Sequence, residues 1–328
     1  MPSPAPGALP IGSDAENELE ADPDASQAEQ RRLDVTAADH GQRLDRLLAA
    51  AAPEFSRSHL QGLVEAGHVL VDSLPCTHNA HRMRAGQSVR VTLVPTAESL
   101  SFRPQPMLLN ILHEDDHLLV VDKPAGLVVH PAAGNWSGTL LNGILAHHAA
   151  ASRLPRAGIV HRLDKDTSGV MVVGKTLEAV TALVRDIAER QVLRQYRAIA
   201  WGLVEPARQR IDAPIGRDPA QRTRMAVVSG GRPAQTDVDC LAHQQGLSAL
   251  QCRLHTGRTH QIRVHLASRR HPLVADAVYG GQAALGLQRQ ALHAVHLAFA
   301  HPISRQPMAF DCPPPPDFAA AWSVLLPD

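Results

Sequence analysis

Apolar and polar positions alternate along this chain with two periods, and each change of period marks an element. Leu44, Leu47 and Leu48 recur at helical spacing, and Leu60, Leu63 and Val64 repeat that pattern. Ser58 and Gln61 fit a capping box for the second helix, and Gly67 fits its C′ position. "HVLVD" (68–72) then reads as a strand, and "RAGQSVRVTLV" (84–94) as a turn and a second strand. Two short helices feeding a small hairpin make one unit that ends near residue 95.

A polar, Pro-containing stretch follows. "NILHEDDHLLVVDKPAG" (110–126) predicts a hairpin-like pair of strands, and "GTLLNGILAHH" (138–148) an amphipathic helix. "VMVV" (170–173) is a short apolar run suited to a buried strand. "TLEAVTALVRDIAERQ" (176–191) predicts a longer helix with Leu177, Val180, Val184 and Ile187 on one side. "QYRAIAWGLV", "AQTDVDCLA", "ALQCRLHTG" and "HAVHLAFAHP" read as further strands. Helices and strands mix without strict alternation, which favours an α+β fold with a mixed, largely antiparallel sheet.

The 328 residues leave room for two domains, each with its own core. No apolar run reaches the roughly 20 residues that span a bilayer. No basic stretch followed by an apolar segment opens the chain, so a cytoplasmic protein without a membrane partner is expected. Cys76, Cys240, Cys252 and Cys312 form no C-x-x-C pair, and four free thiols are the simplest reading.

The net charge of zero hides an asymmetry. Residues 1–30 hold seven acids (Asp14, Glu16, Glu18, Glu20, Asp22, Asp24, Glu29) and no Lys or Arg. The remainder carries 25 acids against 32 bases. An acidic tail on a basic body suggests a nucleic-acid partner. Lysine occurs only at 123, 165 and 175, so the basic residues are almost all arginine. Six of them, Arg43, Arg46, Arg57, Arg82, Arg84 and Arg90, fall in the first helical unit. The expected organisation is a disordered acidic tail (1–30), a small arginine-bearing unit (31–95), a linker (96–106) and a larger domain (107–328).

The densest charge cluster is "HRLDKD", between the apolar runs of "GIVHRLDKDTSGVMVVGKT" (158–176). Charged groups packed between buried strands suggest a loop held rigidly at the edge of a core. There is no G-x-S-x-G elbow, no P-loop and no G-x-G-x-x-G. His255, His260 and His265 lie near one another, but their spacing is not that of a zinc site, and Arg258 and Arg263 would repel a cation. What remains is a carboxylate acting without metal or cofactor. Asp164 has cationic neighbours that favour its ionised form, available as nucleophile or base. Asp166 fits a turn residue. Spacing alone does not choose between the two.

Residues 31–95 resemble the S4 RNA-binding domain in "RLDRLL", "SRSHLQGLVEAGHVLV" and "AGQSVRV". Members often carry Asn-Gly in the hairpin turn, where this chain has Asp72-Ser73. "AGIVHRLDKDTSGVMVV" resembles the signature of the RluA-type pseudouridine synthases. "DKPAGLVVHPAAGN" precedes it as in that family, and "RQYRAIAWG", "TGRTHQIRVHLA", "HPLVADAVYGG" and "RQALHAVHLAFAHP" follow in the family's order. The resemblance runs from about residue 40 to 325. Ala275 stands where the family usually has Gly.

The resemblance implies that uridines in RNA are isomerised, by breaking the N1–C1′ bond and rejoining the base through C5. No atoms are lost, so no cofactor and no metal are needed. Asp164 is then the catalytic carboxylate, attacking C6 or C1′ or removing a ribose proton. Tyr196 matches the family's tyrosine, and Arg263 the arginine whose fork holds the catalytic carboxylate. Arg162 would fill the space left by a flipped base, and Ile262 and Leu292 would wall its pocket. Arg258, His161, Arg43 and Arg57 are expected RNA contacts. "RDPAQRTRMAV", together with the S4-like unit, resembles the large-subunit branch of that family, which implies large-subunit ribosomal RNA or its precursor particle as substrate, with transfer RNA as the rival, acted on by a monomer. A catalytically dead RNA-binding protein would lack Asp164, Tyr196 or Arg263, and all three are present.

Overall fold

The computed structural model describes residues 29–94, 101–132, 134–221 and 223–326. The acidic segment before residue 29 and the stretch 95–100 lie outside them. The chain divides into two compact units, Met1–Thr96 and Ala97–Asp328.

In the first unit, strands β1 (Glu29–Asp34), β2 (Val69–Val71), β3 (Leu74–Pro75) and β4 (Ser88–Leu93) form an antiparallel sheet in the order β1-β4-β2-β3. Helices α1 (Leu44–Ala51) and α2 (Arg57–Glu65) bury Leu44, Leu47, Leu48, Leu60, Leu63 and Val64 against Val69, Val71, Val89 and Val91. Strand β1 begins inside the segment read as tail. Its sequence, EQRRLD, has one apolar residue, and charged side chains are what protects a sheet edge.

Helix α2 is capped by Ser56, whose Oγ accepts the His59 N–H at 3.2 Å; Ser58 is not the cap. Its other end closes as a Schellman motif, with Gly67 at φ +80 and the His68 N–H donating to Leu63 O at 2.9 Å. Asp72 and Ser73 both take positive φ, the geometry of a type I′ turn without glycine. The Asp72 carboxylate steadies that turn by accepting the Ser88 N–H and a Gln87 amide proton, each at 2.9 Å.

The second unit carries strands β5 (Asn110–Glu114), β6 (Leu118–Lys123), β7 (Ser168–Gly174), β8 (Leu193–Trp201), β9 (Arg208–Asp212), β12 (Gln235–Gln244), β13 (Leu247–Leu254), β14 (Leu292–Ala300) and β15 (Pro307–Asp311). They form one sheet in the order β5-β6-β7-β14-β8-β13-β12-β9, with β15 also on β14. Only β7 and β14 pair in parallel, so the sheet is mixed and largely antiparallel. A separate ribbon joins β10 (Ile215–Arg217) to β11 (Met225–Val227). All seven residues of β7 are buried, the environment its unbroken apolar run demands.

Helices α3 (Leu140–His147) and α4 (Leu177–Ala188) bring Leu140, Leu141, Ile144 and Leu183 to the core that holds β6 and β7. The face that α4 buries overlaps only in part with the one its pattern predicts: Val180 is buried and Ile187 packs on the core. Ala179, Val180, Leu183 and Asp186 point inward, while Leu177 and Val184 are exposed. Arg305 Nη1 reaches the buried Asp186 carboxylate at 2.7 Å, which makes a charged inward position tolerable. Residues 101–106, read as linker, pack on α3: the buried Asn142 donates to the carbonyls of Ser101 and Arg103.

Two helices went unpredicted. Helix α6 (Pro316–Leu325) packs Phe318 and Trp322 against Ile199, Leu247 and Ala249. Helix α5 (Gln261–Ser268) buries its first six residues on all sides, polar ones included, so it shows no amphipathic stripe.

One glycine sets the approach of β7 to β14. Gly169 has φ +119, and a Cβ there would lie 2.2 Å from Ala294 O and 2.7 Å from Ala294 N. Gly169→Ala must therefore part the two strands, and a loss of about 3 kcal/mol is expected. A denaturant midpoint equal to that of the native chain would refute the close-approach argument.

Candidate active site

The segment "GIVHRLDKDTSG" folds back on β7. Ile159 bridges Val173, and His161 Nε2 accepts the Val172 N–H at 3.1 Å. The reversal is a tight turn closed by the Thr167 N–H on Asp164 O at 3.1 Å, so Asp164 stands at its first corner. The two central carbonyls of the turn are bound from elsewhere. Lys165 O accepts from Gly126 N and from Lys123 Nζ, and Asp166 O accepts from Arg289 Nη1 at 3.0 Å. Lys123 is fully buried, and its ammonium also donates to Pro124 O and Leu127 O. Burial pulls its pKa down to about 8, with Asp164 and Asp166 opposing the shift. A compact ammonium fits this cage of three carbonyls, where a planar guanidinium would not. That is the physical reason for a lysine in a chain whose cations are nearly all arginine.

Arg263, on α5, reaches across 99 positions and donates from Nη1 to Asp164 Oδ2 at 3.0 Å. Its two-pronged grip is on another residue. Nε and Nη2 bind the two carboxylate oxygens of Asp276 at 2.7 and 2.9 Å. The fork that the family resemblance placed on Asp164 therefore belongs to Asp276, which orients the guanidinium so that its remaining nitrogen meets Asp164. Burial opposes the charge on Arg263, but the two carboxylates outweigh it and push its pKa up. Ala275 precedes Asp276 at φ +58, a conformation that costs a Cβ-bearing residue about 1–2 kcal/mol. Below the guanidinium, Tyr279 presents its ring 5.0 Å away. The Tyr279 hydroxyl pairs with His260 Nδ1 at 2.9 Å, and His260 Nε2 lies 3.9 Å from Asp164 Oδ1. Burial lowers the His260 pKa below its ordinary value, which favours the neutral imidazole.

Tyr196 lies on β8, opposite Cys252 of β13 and Ala294 of β14. Burial raises its phenol to about 12, with Arg194 opposing, so it stays protonated at neutral pH. Asp164 and Tyr196 share a cleft of about 490 Å³ whose walls include Arg156, Arg162, Arg190, Arg194 and Arg258. A narrow extension of about 40 Å³ is lined by Asp164, Tyr196, Leu254, Ile262 and Leu292. Arg162 is exposed and makes no hydrogen bond or ion pair among the described residues. Arg258 also lines the cleft, with Nε bound to Pro233 O at 3.1 Å.

Three expected RNA contacts have partners within the protein. His161 has Nε2 committed to β7, and burial, aided by Arg194, lowers its pKa to about 3, so it offers no cation. Arg43 and Arg57 bind the fully buried Asp45 at 3.0 and 2.7 Å, and Gln61 is a third donor to it. Burial alone would raise the Asp45 pKa; those three donors reverse it and hold the carboxyl far below its usual range. Both arginines are thus structural first, their heads tied to a core carboxylate.

The three clustered histidines diverge. His255 pairs with Asp237, His260 with Tyr279, and His265 spans Thr236 and Ala213 O. Among the described residues, no group of three His, Cys, Asp or Glu side chains could hold a metal ion. Sequence reasoning passed over Asp276, Lys123, His260, Tyr279 and Arg194. Two of them left a trace: Lys123 as one of three lysines, and Asp276 beside the unusual Ala275.

Comparison with known proteins gives the family. The family model described as RNA pseudouridylate synthase matches residues 117–268, and the S4 domain model matches residues 42–89. A protein of Neisseria meningitidis serogroup B, "Ribosomal large subunit pseudouridine synthase D", is 51% identical over 297 residues, covering 87% of this chain and 79% of its own length. A protein of the same name from Nitrosomonas europaea is 48% identical over 310 residues, with 92% and 90% covered. Among solved structures, "Human RNA Pseudouridylate Synthase Domain Containing 1" superposes with a TM-score of 0.51 at 28% identity, covering 66% of this chain and 90% of that one. The chain belongs to the RNA pseudouridylate synthase family. It is a pseudouridine synthase of the RluA type, with an S4 domain before the catalytic unit.

Proposed function

We propose that this enzyme isomerises specific uridines of large-subunit ribosomal RNA, with Asp164 as the catalytic carboxylate. The observation that carries the assignment is the Asp164–Arg263 contact, on the wall of an arginine-lined cleft beside Tyr196. The substrate follows the named relatives, which are large-subunit synthases. The uridine leaves its stack, at least cost from a loop or single strand, and its base enters the narrow extension between Ile262 and Leu292. Arg162, exposed and unbonded, takes the place the base vacates. Asp164 attacks the base or C1′, or removes a ribose proton, while the N1–C1′ bond breaks. After the base turns, C5 bonds to C1′, Asp164 leaves the atom it attacked or returns the ribose proton it took, the C5 proton leaves and N1 gains one. Tyr196 offers a ring for the uracil; because its phenol stays protonated, its oxygen takes the C5 proton only as its own proton departs.

Pseudouridine mapping of ribosomal and transfer RNA, from cells with and without the gene, tests the substrate. Sites lost only from transfer RNA would overturn the ribosomal reading.

The S4 unit contributes affinity in this reading. Deleting residues 31–95 should weaken RNA binding and flatten its salt dependence, through Arg46, Arg82, Arg84 and Arg90 more than through the two arginines bound to Asp45. Binding titrations at several salt concentrations check this; an unchanged affinity and slope would remove the role assigned to the unit.

A further inference from the structure

The cleft beside Asp164 holds one cation unlike the others. Arg190 donates to Gln235 and Arg258 to Pro233 O, and Arg162 and Arg156 are exposed to solvent. Arg194 is only 5% exposed, and its buried Nε has no hydrogen-bond partner. No carboxylate among the described residues pairs with it. Two of its neighbours are neutral: His161 keeps an uncharged imidazole, and Tyr196 an intact phenol. Gly257 makes room for its head, since a Cβ there would stand 3.0 Å from Arg194 Nη1. His130, on the same cleft, also leaves a buried ring nitrogen, Nε2, without a partner.

A guanidinium cannot shed its charge in a protein, so an unpaired buried one weakens the free fold. Such a group is retained without cost only if an anion arrives from outside. The planar fork suits phosphate. Position says which one. Arg194 and Tyr196 are two residues apart on β8, hence on one face and about 7 Å apart along the strand. A base held at Tyr196 brings a backbone phosphate of its own or the adjacent nucleotide to that reach.

We propose that Arg194 is the buried anchor for a phosphodiester flanking the target uridine, positioning the strand so that its base meets Tyr196 and Asp164. The inference rests on the reading of this cleft as the uridine site.

The test uses full-length Arg194→Met, with Arg194→Gln as a second variant, on a transcript of large-subunit ribosomal RNA. The melting temperature of the free protein should hold or rise, because an unpaired buried charge has gone. RNA affinity should fall about tenfold or more, and the slope of log affinity against log salt should shrink by about 0.7, one phosphate contact on a single strand. KM should rise more than kcat falls, as for an interaction made equally in ground and transition states. An unchanged salt slope in the folded variant would overturn the proposal; so would a fall in kcat with KM unmoved, which would place Arg194 on Tyr196 and not on phosphate. Should the Met variant fail to fold, the Gln variant decides by the same slope. Asp164→Asn run alongside separates the two readings. Full activity there removes the site itself, whereas an inactive Asp164→Asn beside an Arg194→Met that binds like the native chain removes the phosphate anchor alone.

Discussion

Asp164→Asn should abolish pseudouridine formation while leaving RNA binding within about tenfold of the native protein, roughly 1.4 kcal/mol. The substitution keeps size and shape, and the amide oxygen can still accept from Arg263 Nη1. It removes the charge, and an amide at neutral pH is neither nucleophile nor base. Affinity comes mainly from arginines on phosphates, and none of those is touched. Asp166→Asn should be far milder, because that residue serves the loop through its backbone carbonyl, which Arg289 binds. Turnover on large-subunit ribosomal RNA, measured beside a filter-binding isotherm, checks both variants. Native turnover in Asp164→Asn would dismiss the carboxylate as the reacting group.

Removing the guanidinium of Arg263 should harm folding and chemistry together, and a second substitution should separate them. Asp276 is 1% exposed, and Arg263→Met strands its carboxylate without its two-pronged partner. An uncompensated buried charge of this kind costs about 3–5 kcal/mol. Pairing the change with Asp276→Leu removes both buried charges, and most of that stability should return. Turnover should not return, because Asp164 would still lack the bond that fixes its position. Misplacement by about 1 Å at a reacting group is enough for a hundredfold loss. Denaturant unfolding and initial rates on the single and double variants read the two effects. A double variant that regains native turnover would show that Arg263 serves only Asp276.

Arg263→Lys makes the same point through geometry. An ammonium keeps the charge but is a point donor on a flexible stem. It cannot hold both oxygens of Asp276 and reach Asp164 as well. The three residues therefore act as one unit, with Asp276 aiming the guanidinium and the guanidinium aiming the carboxylate.

Much of this molecule was legible before folding. Leu44, Leu47, Leu48, Leu60, Leu63 and Val64 are buried in α1 and α2 as their spacing demands. The apolar run at 170–173 is a strand buried on both faces. These positions depend on burial of their own element, and local periodicity records that directly. Where burial is polar, periodicity fails. Helix α5 buries Gln261, Arg263 and His265 because each finds partners on other elements, and no pattern within the helix announces it. Helix α4 turns Asp186 inward and leaves Leu177 and Val184 in solvent for the same reason, since Arg305 waits for the carboxylate.

The candidate site divides along that line. A charge cluster set between apolar runs marked out Asp164 and Asp166 together, and the resemblance chose Asp164 and pointed to Tyr196 and Arg263. Only the tertiary structure decided that the arginine's fork belongs to Asp276, that Lys123 clamps the turn, that Arg43 and Arg57 serve Asp45, and that Arg194 stands unpaired. A one-dimensional pattern records which residues want to be inside. Which carboxylate meets which cation is set by the register of strands far apart in the chain, here the parallel contact of β7 with β14, and no local period encodes it.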